Sequence, residues 1–449
     1  MKSLHMTTLG CDKNAVDAQL MLGLLEKNGY VIEADPSKAD IIVVNTCCFI
    51  QAAKEESIAY ILDYAGYKTD QGGQCEMLIV SGCMAERYYN ELKDELPEVD
   101  GFLGVGHIDN IIDLIQSIEA GRRHQGITGD INREYLETLE RRIEDGTTTA
   151  YLKISEGCDH HCTYCVIPKI RGRHRSRKPE AIYQEAAYLQ EKGVKELILI
   201  AQDITQYGND LEEDVNLASL LAHLAETFEF HWIRLLYMYP EGITEELLDV
   251  IATHPQICHY FDLPIQHTED TILKRMGRQI TQKELFERIA LIRAKLPDAI
   301  LRTAIITGFP GETEEDHVCL MASLKKLKID RLGVFTYSQE EGTPAAKMPK
   351  QIDEDVKQRR LSEIYDQQQT ITEDGNAHFV GNIFDVLIEG QEEDGTYTGR
   401  MYSDAPEIDC IVFVNSGGRA LKVGNFYKTK IVHTMDYDFI GDVENESTQ

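Results

Sequence analysis

Six short apolar runs between residues 151 and 337 alternate with helical patterns, and this alternation limits the possible folds more than any other feature. The runs cover residues 151–154, 197–201, 233–238, 260–265, 300–306 and 332–337. Repeated strand–helix units form parallel sheets with helices outside, and six units are fewer than a closed eight-strand barrel needs. We therefore expect a partial barrel of six βα units, within an α/β multidomain chain.

The first 119 residues show a similar alternation on a smaller scale. Apolar runs at 40–45 and 77–82 accompany an amphipathic stretch at 16–27, which predicts a Rossmann-like parallel α/β domain. Residues 120–148 are charged and poor in large apolar side chains, so we expect a linker there. The barrel domain is then expected over residues 149–375, with a terminal helix across the charged run 352–374 that stops at Asp374-Gly375.

The last segment, residues 376–449, has short β-rich stretches punctuated by Asp394-Gly395 and Gly417-Gly418. Such spacing predicts a small antiparallel β-barrel with a short tail. The chain has no run of about 18 apolar residues and no secretory leader pattern, so we expect a cytoplasmic protein with no membrane partner. Its eleven cysteines, an odd number, favour metal ligation and free thiols over a disulfide framework.

Three cysteines, Cys158, Cys162 and Cys165, follow the first barrel strand in the sequence GCDHHCTYC. A 4Fe-4S cluster normally takes four cysteine thiolates, so three thiolates leave one iron open to bind another molecule. Zinc is the alternative, held by the same thiolates with His160 or His161 as the fourth ligand. The cluster is favoured because small zinc modules do not need a barrel behind them.

Cys11, Cys47 and Cys83 are far apart in the sequence, but each directly follows an apolar run. In a parallel sheet such positions meet at the carboxyl edge, where open α/β sheets assemble their sites. Ordinary buried thiols remain an alternative, because cysteine is common on apolar strands. Cys48 would point to the opposite face from Cys47 if the strand continued through it.

Several longer motifs carry a family resemblance. They are TLGCDKNAVD, VVNTCCFI and SGCM near the amino terminus, KISEGCDHHCTYCVIPKIRGRHRSR and GFPGETEED in the barrel segment, and MYSDAPEID near the carboxy terminus. Together they resemble the radical S-adenosylmethionine methylthiotransferases, and most closely the branch that modifies an aspartate of small-subunit ribosomal protein twelve. In that family the carboxy-terminal segment is an OB-like barrel called TRAM.

The resemblance implies two 4Fe-4S clusters, an auxiliary one on the three amino-terminal cysteines and a radical-generating one on the cysteines of GCDHHCTYC. It implies that one S-adenosylmethionine methylates sulfur at the auxiliary cluster. A second one yields the radical that abstracts hydrogen from the target carbon. The expected product is the β-methylthio form of an aspartate, and the expected partners are ribosomal protein twelve, an electron donor and a sulfur source.

Two other functions stay open at this point. A related enzyme class makes 2-methylthio-N6-isopentenyladenosine in tRNA with the same cofactors, and a non-catalytic metal-binding module could attach to the ribosome. The net charge of −31 opposes charge-driven binding of a phosphate backbone. Residues 376–449 contain five Lys or Arg against thirteen Asp or Glu, which favours a basic protein over tRNA.

Weaker candidates come from single residues and short motifs. The resemblance and the strand-end positions suggest a cofactor shell of Tyr164, Gln202, Gln266, Arg302, Gly308 and Gly311. The basic run KIRGRHRSRK is expected either as a solvated loop or as a source of charge for a cluster, the cofactor or the target. Within it, Arg171 and Arg177 match family positions.

Overall fold

The computed structural model describes residues 1–137, 140–212 and 214–444. Its amino-terminal part is one sheet of six parallel strands in the spatial order β2-β1-β3-β4-β5-β6. β3 and β4 are buried at every residue, as expected for parallel strands with helices on both faces. The strands are β1 (Ser3–Thr8), β2 (Val31–Ile32), β3 (Ile41–Thr46), β4 (Met77–Gly82), β5 (Gly101–Leu103) and β6 (Gln125–Ile127).

Four helices connect these strands: α1 (Asp12–Lys27), α2 (Gln51–Ala65), α3 (Cys83–Glu95) and α4 (Ile111–Glu119). The expected parallel α/β layer is confirmed. β6 is an addition, because it lies inside the segment that we expected to be a linker and pairs with β5. Its three residues contain no apolar run, so the sequence pattern gave no sign of a strand there.

The second part contains the six expected βα units as two three-stranded parallel sheets, in the orders β11-β10-β7 and β12-β13-β14. The strands are β7 (Thr149–Lys153), β10 (Glu196–Ile200), β11 (Trp232–Leu235), β12 (Tyr260–Asp262), β13 (Ile300–Thr307) and β14 (Arg331–Thr336). A short antiparallel pair, β8 (Ser155–Glu156) and β9 (Arg175–Ser176), follows β7. The partial barrel is confirmed.

Helices cover the outer face of the barrel, where leucine and isoleucine side chains from strands and helices form one apolar core. They are α6 (Pro179–Glu191), α7 (Leu217–Thr227), α8 (Glu245–Thr253), α10 (Gln282–Lys295), α11 (Glu314–Leu327) and α12 (Glu354–Asn376). Two shorter helices pack elsewhere: α5 (Ile167–Ile170) contacts α3 of the first sheet, and α9 (Asp270–Met276) packs with Phe309 and Tyr337. The expected stop at Asp374-Gly375 is wrong, because α12 continues to Asn376. Asn376 is buried and bonds to Arg331 and to the carbonyl of Tyr437, so tertiary contacts set the helix end.

The carboxy-terminal part is a closed five-stranded barrel in the order β15-β16-β17-β19-β18. Its strands are β15 (Ile383–Gln391), β16 (Tyr397–Arg400), β17 (Val412–Asn415), β18 (Phe426–Met435) and β19 (Asp438–Val443). The pairs are antiparallel except β17 with β19, which is parallel. The expected tail falls partly on residues 445–449, outside the described residues. In the part of the chain that the structure describes, no helix is long and apolar enough to cross a membrane.

A buried ionic cluster fixes this small barrel on the larger one. Glu196 of β10 accepts hydrogen bonds from Nε of Arg234 at 2.7 Å and from Nη2 of Arg400 at 2.6 Å, and all three side chains are at most 1% exposed. Burial alone would raise the pKa of Glu196, but the two arginines lower it to about 2.

Glu196→Gln should destabilise the protein by about 3–5 kcal/mol, because two buried cations would lose their shared carboxylate. Chemical denaturation, together with protease cleavage near residue 376, measures the loss, and Glu191→Gln on the exposed surface of α6 is the control. The wild-type contribution of Glu196 should be present above its unfolded pKa of 4.5 and vanish as the pH falls towards 2. Equal stability of the two variants would contradict this role.

Candidate cluster sites at the strand ends

Cys11, Cys47 and Cys83 lie at the carboxyl ends of three neighbouring strands, β1, β3 and β4. Cys47 follows β3 directly, Cys83 is the first residue of α3, and Cys11 is the residue before α1. The register pairs Thr46 with Gly82, so Cys47 and Cys83 leave their strands side by side. Three thiols that are distant in the sequence therefore share one edge of the sheet.

Gly10 allows the loop before Cys11 to approach Cys47. Its φ of +88° is in the left-handed region, and a Cβ at this position would lie 2.6 Å from the Cβ of Cys47. Only glycine fits such an approach. Cys11 is exposed while Cys47 and Cys83 are buried, so the site opens to the exterior at Cys11. Burial is the main cause that raises the pKa of the Cys47 and Cys83 thiols.

Arg171, from the segment after the second cysteine group, reaches this edge of the first sheet. Its Nη2 donates to Oδ1 of Asn14 at 2.6 Å and lies 3.8 Å from Sγ of Cys83. Asn14 also donates from Nδ2 to the carbonyl oxygens of Leu9 and Thr46, which ties the ends of β1 and β3 together. Arg171 therefore places a fixed positive charge beside the amino-terminal cysteines.

A buried ionic network holds Arg171 in place. Its Nη1 lies 3.2 Å from Asp17 and 3.0 Å from Glu156, and Lys153 contacts the same two carboxylates at 2.5 and 2.7 Å. Burial alone would raise the pKa of Glu156, but Arg171 and Lys153 lower it below its usual range. Asp17 belongs to the first sheet domain and the other three residues to the barrel, so the network joins the two cysteine-bearing parts.

Arg171→Met should destabilise the protein by about 3–5 kcal/mol, because Asp17 and Glu156 would keep buried charges with one partner fewer. Chemical denaturation of the reconstituted protein followed by circular dichroism measures this change. Arg173→Met is the matched control, since Arg173 is exposed only two residues away. If both variants unfold at the same denaturant concentration, Arg171 does not anchor the interface.

Cys158, Cys162 and Cys165 lie in the loop between β8 and α5, and all three are free thiols. The N–H of Cys158 donates to the carbonyl of Gly172 at 3.1 Å, and the N–H of Cys165 donates to the carbonyl of Cys162 at 3.1 Å. The N–H of Ile167 points to Sγ of Cys165 at 3.4 Å. Burial, with a smaller effect from the neighbouring thiols, raises the pKa of Cys158 and Cys165 to about 12.

Aromatic rings line this second cysteine loop. The hydroxyl of Tyr239 lies 3.8 Å from Sγ of Cys162, and its ring stacks on His160 with centroids 4.0 Å apart. Tyr164, which we predicted near the cofactor, packs edge-on against Phe309 with centroids 6.4 Å apart. Burial is the main cause that raises the pKa of Tyr164. The loop is thus held by an apolar wall on its Tyr164 side and by a polar stack on its His160 side.

The donor sets suit iron–sulfur clusters better than a single zinc ion. Across the described ranges, no three His, Cys, Asp or Glu side chains are grouped closely enough to hold one metal ion. A tetrahedral zinc site needs its donors within about 2.0–2.3 Å of the ion, whereas each thiolate of a 4Fe-4S cluster binds a different iron. Each site offers three free thiols, which would leave one iron open.

Two of the predicted cofactor residues remain suitable. Gln202 follows β10, donates from Nε2 to Glu156 at 2.7 Å, and keeps a buried Oε1 without a hydrogen-bond partner. Gln266 follows β12 with a φ of +70°, which is uncommon for a residue other than glycine. Such backbone strain tends to persist at functional sites.

The turn with Gly308 and Gly311 packs against side chains. A Cβ at Gly308 would lie 2.3 Å from Cγ of Lys357, and a Cβ at Gly311 would lie 2.6 Å from Cζ of Arg275. Both glycines have positive φ, so the turn needs them for its own conformation as well. These contacts explain the glycines without a cofactor, and the prediction that their backbone approaches one gains no support.

Arg302 and Arg177 each form ion pairs with carboxylates inside the protein. Nη1 of Arg302 donates to Asp262 at 2.8 Å, and its Nε lies 3.3 Å from Asp409 of the small barrel. Nη1 of Arg177 donates to Glu185 at 2.6 Å. These contacts give no support to the prediction that Arg302 binds the cofactor, or to the prediction that Arg177 serves a cluster, the cofactor or the target. Of the three predicted arginines, Arg171 is the one with a hydrogen bond to a cysteine among the described residues.

Sequence reasoning missed four residues that connect the two sites, namely Asn14, Asp17, Lys153 and Glu156. Asn14 and Asp17 are almost one helical turn apart on α1, directly after Cys11. Lys153 and Glu156 come shortly before Cys158. Their closeness to cysteines in DKNAVD and KISEGC was a usable signal, but polar residues beside a ligand do not by themselves show what they contact.

Comparisons with known families match all three parts of the chain. Uncharacterized protein family UPF0004 matches residues 3–104, the Radical SAM superfamily matches residues 152–323, and the TRAM domain matches residues 380–443. The ribosomal protein uS12 methylthiotransferase RimO of Clostridioides difficile is 49% identical over 444 residues, covering 99% of each chain. The protein of the same name from Lachnoclostridium phytofermentans is 48% identical, covering 98% of this chain and 100% of the relative.

Solved structures share the fold at low sequence identity. The radical S-adenosylmethionine methyltransferase TsrM from Kitasatospora setae, with cobalamin and a 4Fe-4S cluster bound, superposes with a TM-score of 0.57 at 13% identity. The match covers 77% of this chain and 74% of that one. OxsB, a cobalamin-dependent S-adenosylmethionine radical enzyme, gives a TM-score of 0.52 at 12% identity, covering 83% of this chain and 58% of that one. These likenesses concern the fold alone.

Proposed function

The chain belongs to the ribosomal protein uS12 methylthiotransferase family of radical S-adenosylmethionine enzymes, and we propose that it attaches a methylthio group to the β-carbon of an aspartate in uS12. Members of this family use S-adenosylmethionine and 4Fe-4S clusters. We place the reaction in the cytoplasm, where a ribosomal protein is made and assembled. An electron donor and a sulfur source are required by the chemistry.

In this proposal Cys158, Cys162 and Cys165 would hold the radical-generating cluster, which would bind the cofactor. The three cysteines at the edge of the first sheet hold the auxiliary cluster. When bound, the first cluster and its cofactor would supply the chemistry of hydrogen abstraction, and the second cluster would supply the methylated sulfur. The protein positions these two chemistries and keeps them in separate domains, so that the radical is made away from the group it must meet.

The contact of Arg171 with Cys83 is the observation that carries this proposal. Arg171 lies six residues after Cys165, and it spans the interface to reach a sulfur of the other site at 3.8 Å. Tyr237, which follows β11, crosses the same interface and donates from its hydroxyl to Asp12 at 3.2 Å. Asp12 is the neighbour of Cys11. The two cysteine sites therefore border one interface, as a reaction that uses both of them requires.

The surface charge of the small barrel favours a basic protein as the target. Arg400 is buried against Glu196, and Arg419 donates to the backbone carbonyls of Val443 and Glu444. Two of the five basic side chains of residues 376–449 therefore make contacts inside the protein. What remains on the surface is mostly carboxylate, which repels a phosphate backbone and attracts a ribosomal protein rich in lysine and arginine.

A competition experiment tests the target. The anaerobically reconstituted protein is incubated with reductant, S-adenosylmethionine, uS12 and unmodified tRNA in one reaction, and both macromolecules are analysed by mass spectrometry. We expect a methylthio gain on an aspartate of uS12 and no gain on tRNA. Gain on tRNA alone would replace this function by that of the tRNA methylthiotransferases.

A further inference from the structure

Arg278 is buried without a hydrogen-bonding partner for its charge. It follows α9 and Gly277, and its side chain is only 1% exposed. Among the described residues, its Nε, Nη1 and Nη2 find no hydrogen-bond acceptor. The nearest carboxylate is that of Glu241, with an oxygen 3.7 Å from Nη2, which is too long for a hydrogen bond.

A buried guanidinium whose three nitrogens all lack an acceptor is costly, because its N–H groups have lost their water without a replacement. The surrounding residues nevertheless hold Arg278 in place. Its guanidinium lies over the ring of Tyr239 at 4.1 Å, and this ring is itself stacked on His160. Asp203 fixes the other end of the stack through His160. A side chain held this firmly with its donors free is suited to receive an anion.

The anion would sit at the second cysteine site. The hydroxyl of Tyr239 is 3.8 Å from Sγ of Cys162, and the N–H of Thr163 donates to the carbonyl of Met276 at 2.8 Å. The cysteine loop is therefore attached to the segment that carries Arg278. Burial lowers the pKa of Arg278, but the neighbouring oxygen atoms, those of Tyr164 and Tyr239 first among them, raise it above its ordinary value, so the guanidinium is charged.

We propose that Arg278 is the receptor for a carboxylate bound beside the cysteine loop. A planar guanidinium matches a carboxylate with two parallel N–H bonds, which no lysine can reproduce. The inference rests on the proposed function, which brings two such carboxylates to this site: that of the methionyl part of S-adenosylmethionine and that of the target aspartate. Arg171 cannot take this role, because its donors are already bound by Asn14, Asp17 and Glu156.

Equilibrium binding to the reconstituted protein distinguishes the two sources. S-adenosylmethionine and full-length uS12 are titrated separately against the wild type, Arg278→Met, Arg278→Lys and the control Lys274→Met, whose lysine is exposed on α9. We expect Arg278→Met to weaken one of the two ligands about 30-fold or more, as loss of a buried charge partner does. Arg278→Lys should weaken the same ligand less, and Lys274→Met should bind both like the wild type.

The ligand that loses affinity identifies the source of the carboxylate. Unchanged affinity for both ligands in both Arg278 variants would overturn the proposal. This holds even if the reduction potential of the cluster shifts, because Arg278 would then act on the cluster alone. If Arg278→Met does not retain its clusters, Arg278→Lys decides by the same criterion. Failure of the proposed function would give a different result: the wild type would add no methylthio group to uS12. The titration with S-adenosylmethionine would still test Arg278 in that case.

Discussion

Cys162→Ala should reduce the reductive cleavage of S-adenosylmethionine to background while the amino-terminal cluster remains. Cys162 lies between the other two thiols of its loop, and two thiolates cannot replace three in holding four irons. The production of 5′-deoxyadenosine, measured by chromatography after reduction, gives the loss directly. The iron content per chain should fall by about half, because the three cysteines of the first sheet are untouched and would still hold the other cluster.

The matched control is Cys319→Ala, which removes a partly exposed thiol on α11. It should keep both the iron content and the cleavage reaction. Continued formation of 5′-deoxyadenosine by Cys162→Ala would show that GCDHHCTYC does not hold the radical-generating cluster. Loss of all iron would show instead that the two sites do not assemble independently.

Cys47→Ala should abolish methylthio transfer to uS12 but keep the cleavage of S-adenosylmethionine. Cys47 follows β3 at the edge where Cys11 and Cys83 also lie, so its loss would remove one of the three proposed ligands of the auxiliary cluster. The radical-generating loop is in another domain and should be unaffected. Mass spectrometry of uS12, combined with chromatography of 5′-deoxyadenosine from the same reaction, separates the two effects.

Cys48→Ala provides a neighbouring control. Cys48 is fully buried in the apolar core beneath the sheet, where burial raises the pKa of its thiol to about 12 and its carbonyl accepts a bond from Arg87. Because this thiol belongs to the apolar core, it should contribute packing only. If Cys48→Ala loses methylthio transfer as fully as Cys47→Ala, Cys48 takes part in the sulfur chemistry.

The parts of the fold that sequence patterns predicted are those with apolar runs or with β-rich stretches between turn signals. β3, β4 and the six barrel strands each carry such a run, and alternation with helices then leaves few arrangements. β6 was missed because three residues at a sheet edge need no apolar run. The end of α12 was misplaced because Asn376 bonds to Arg331 and Tyr437, which are distant in the sequence.

The residues of the candidate sites also fall into those that the sequence could predict and those that it could not. Cysteines are rare and chemically specific, so the spacing of GCDHHCTYC indicated one group, whereas the other group was predicted from its strand-end positions together with the family resemblance. Charged residues are common, and their roles depend on partners that no local pattern shows. Arg171 and Arg177 belong to one basic run, yet one reaches Cys83 and the other pairs with Glu185. Arg278 carried no signal at all, because what distinguishes it is the lack of a hydrogen-bonding partner among the described residues.

Counting the clusters tests most directly whether one chain holds two separate cluster sites. Iron and sulfide are determined in the reconstituted wild type and in a variant with Cys158, Cys162 and Cys165 all replaced by alanine, and Mössbauer spectra identify the cluster type. We predict about eight irons per chain in the wild type, as two 4Fe-4S clusters, and about four in the variant. A wild type with only four irons, or a variant with none, would contradict an independent auxiliary cluster on Cys11, Cys47 and Cys83.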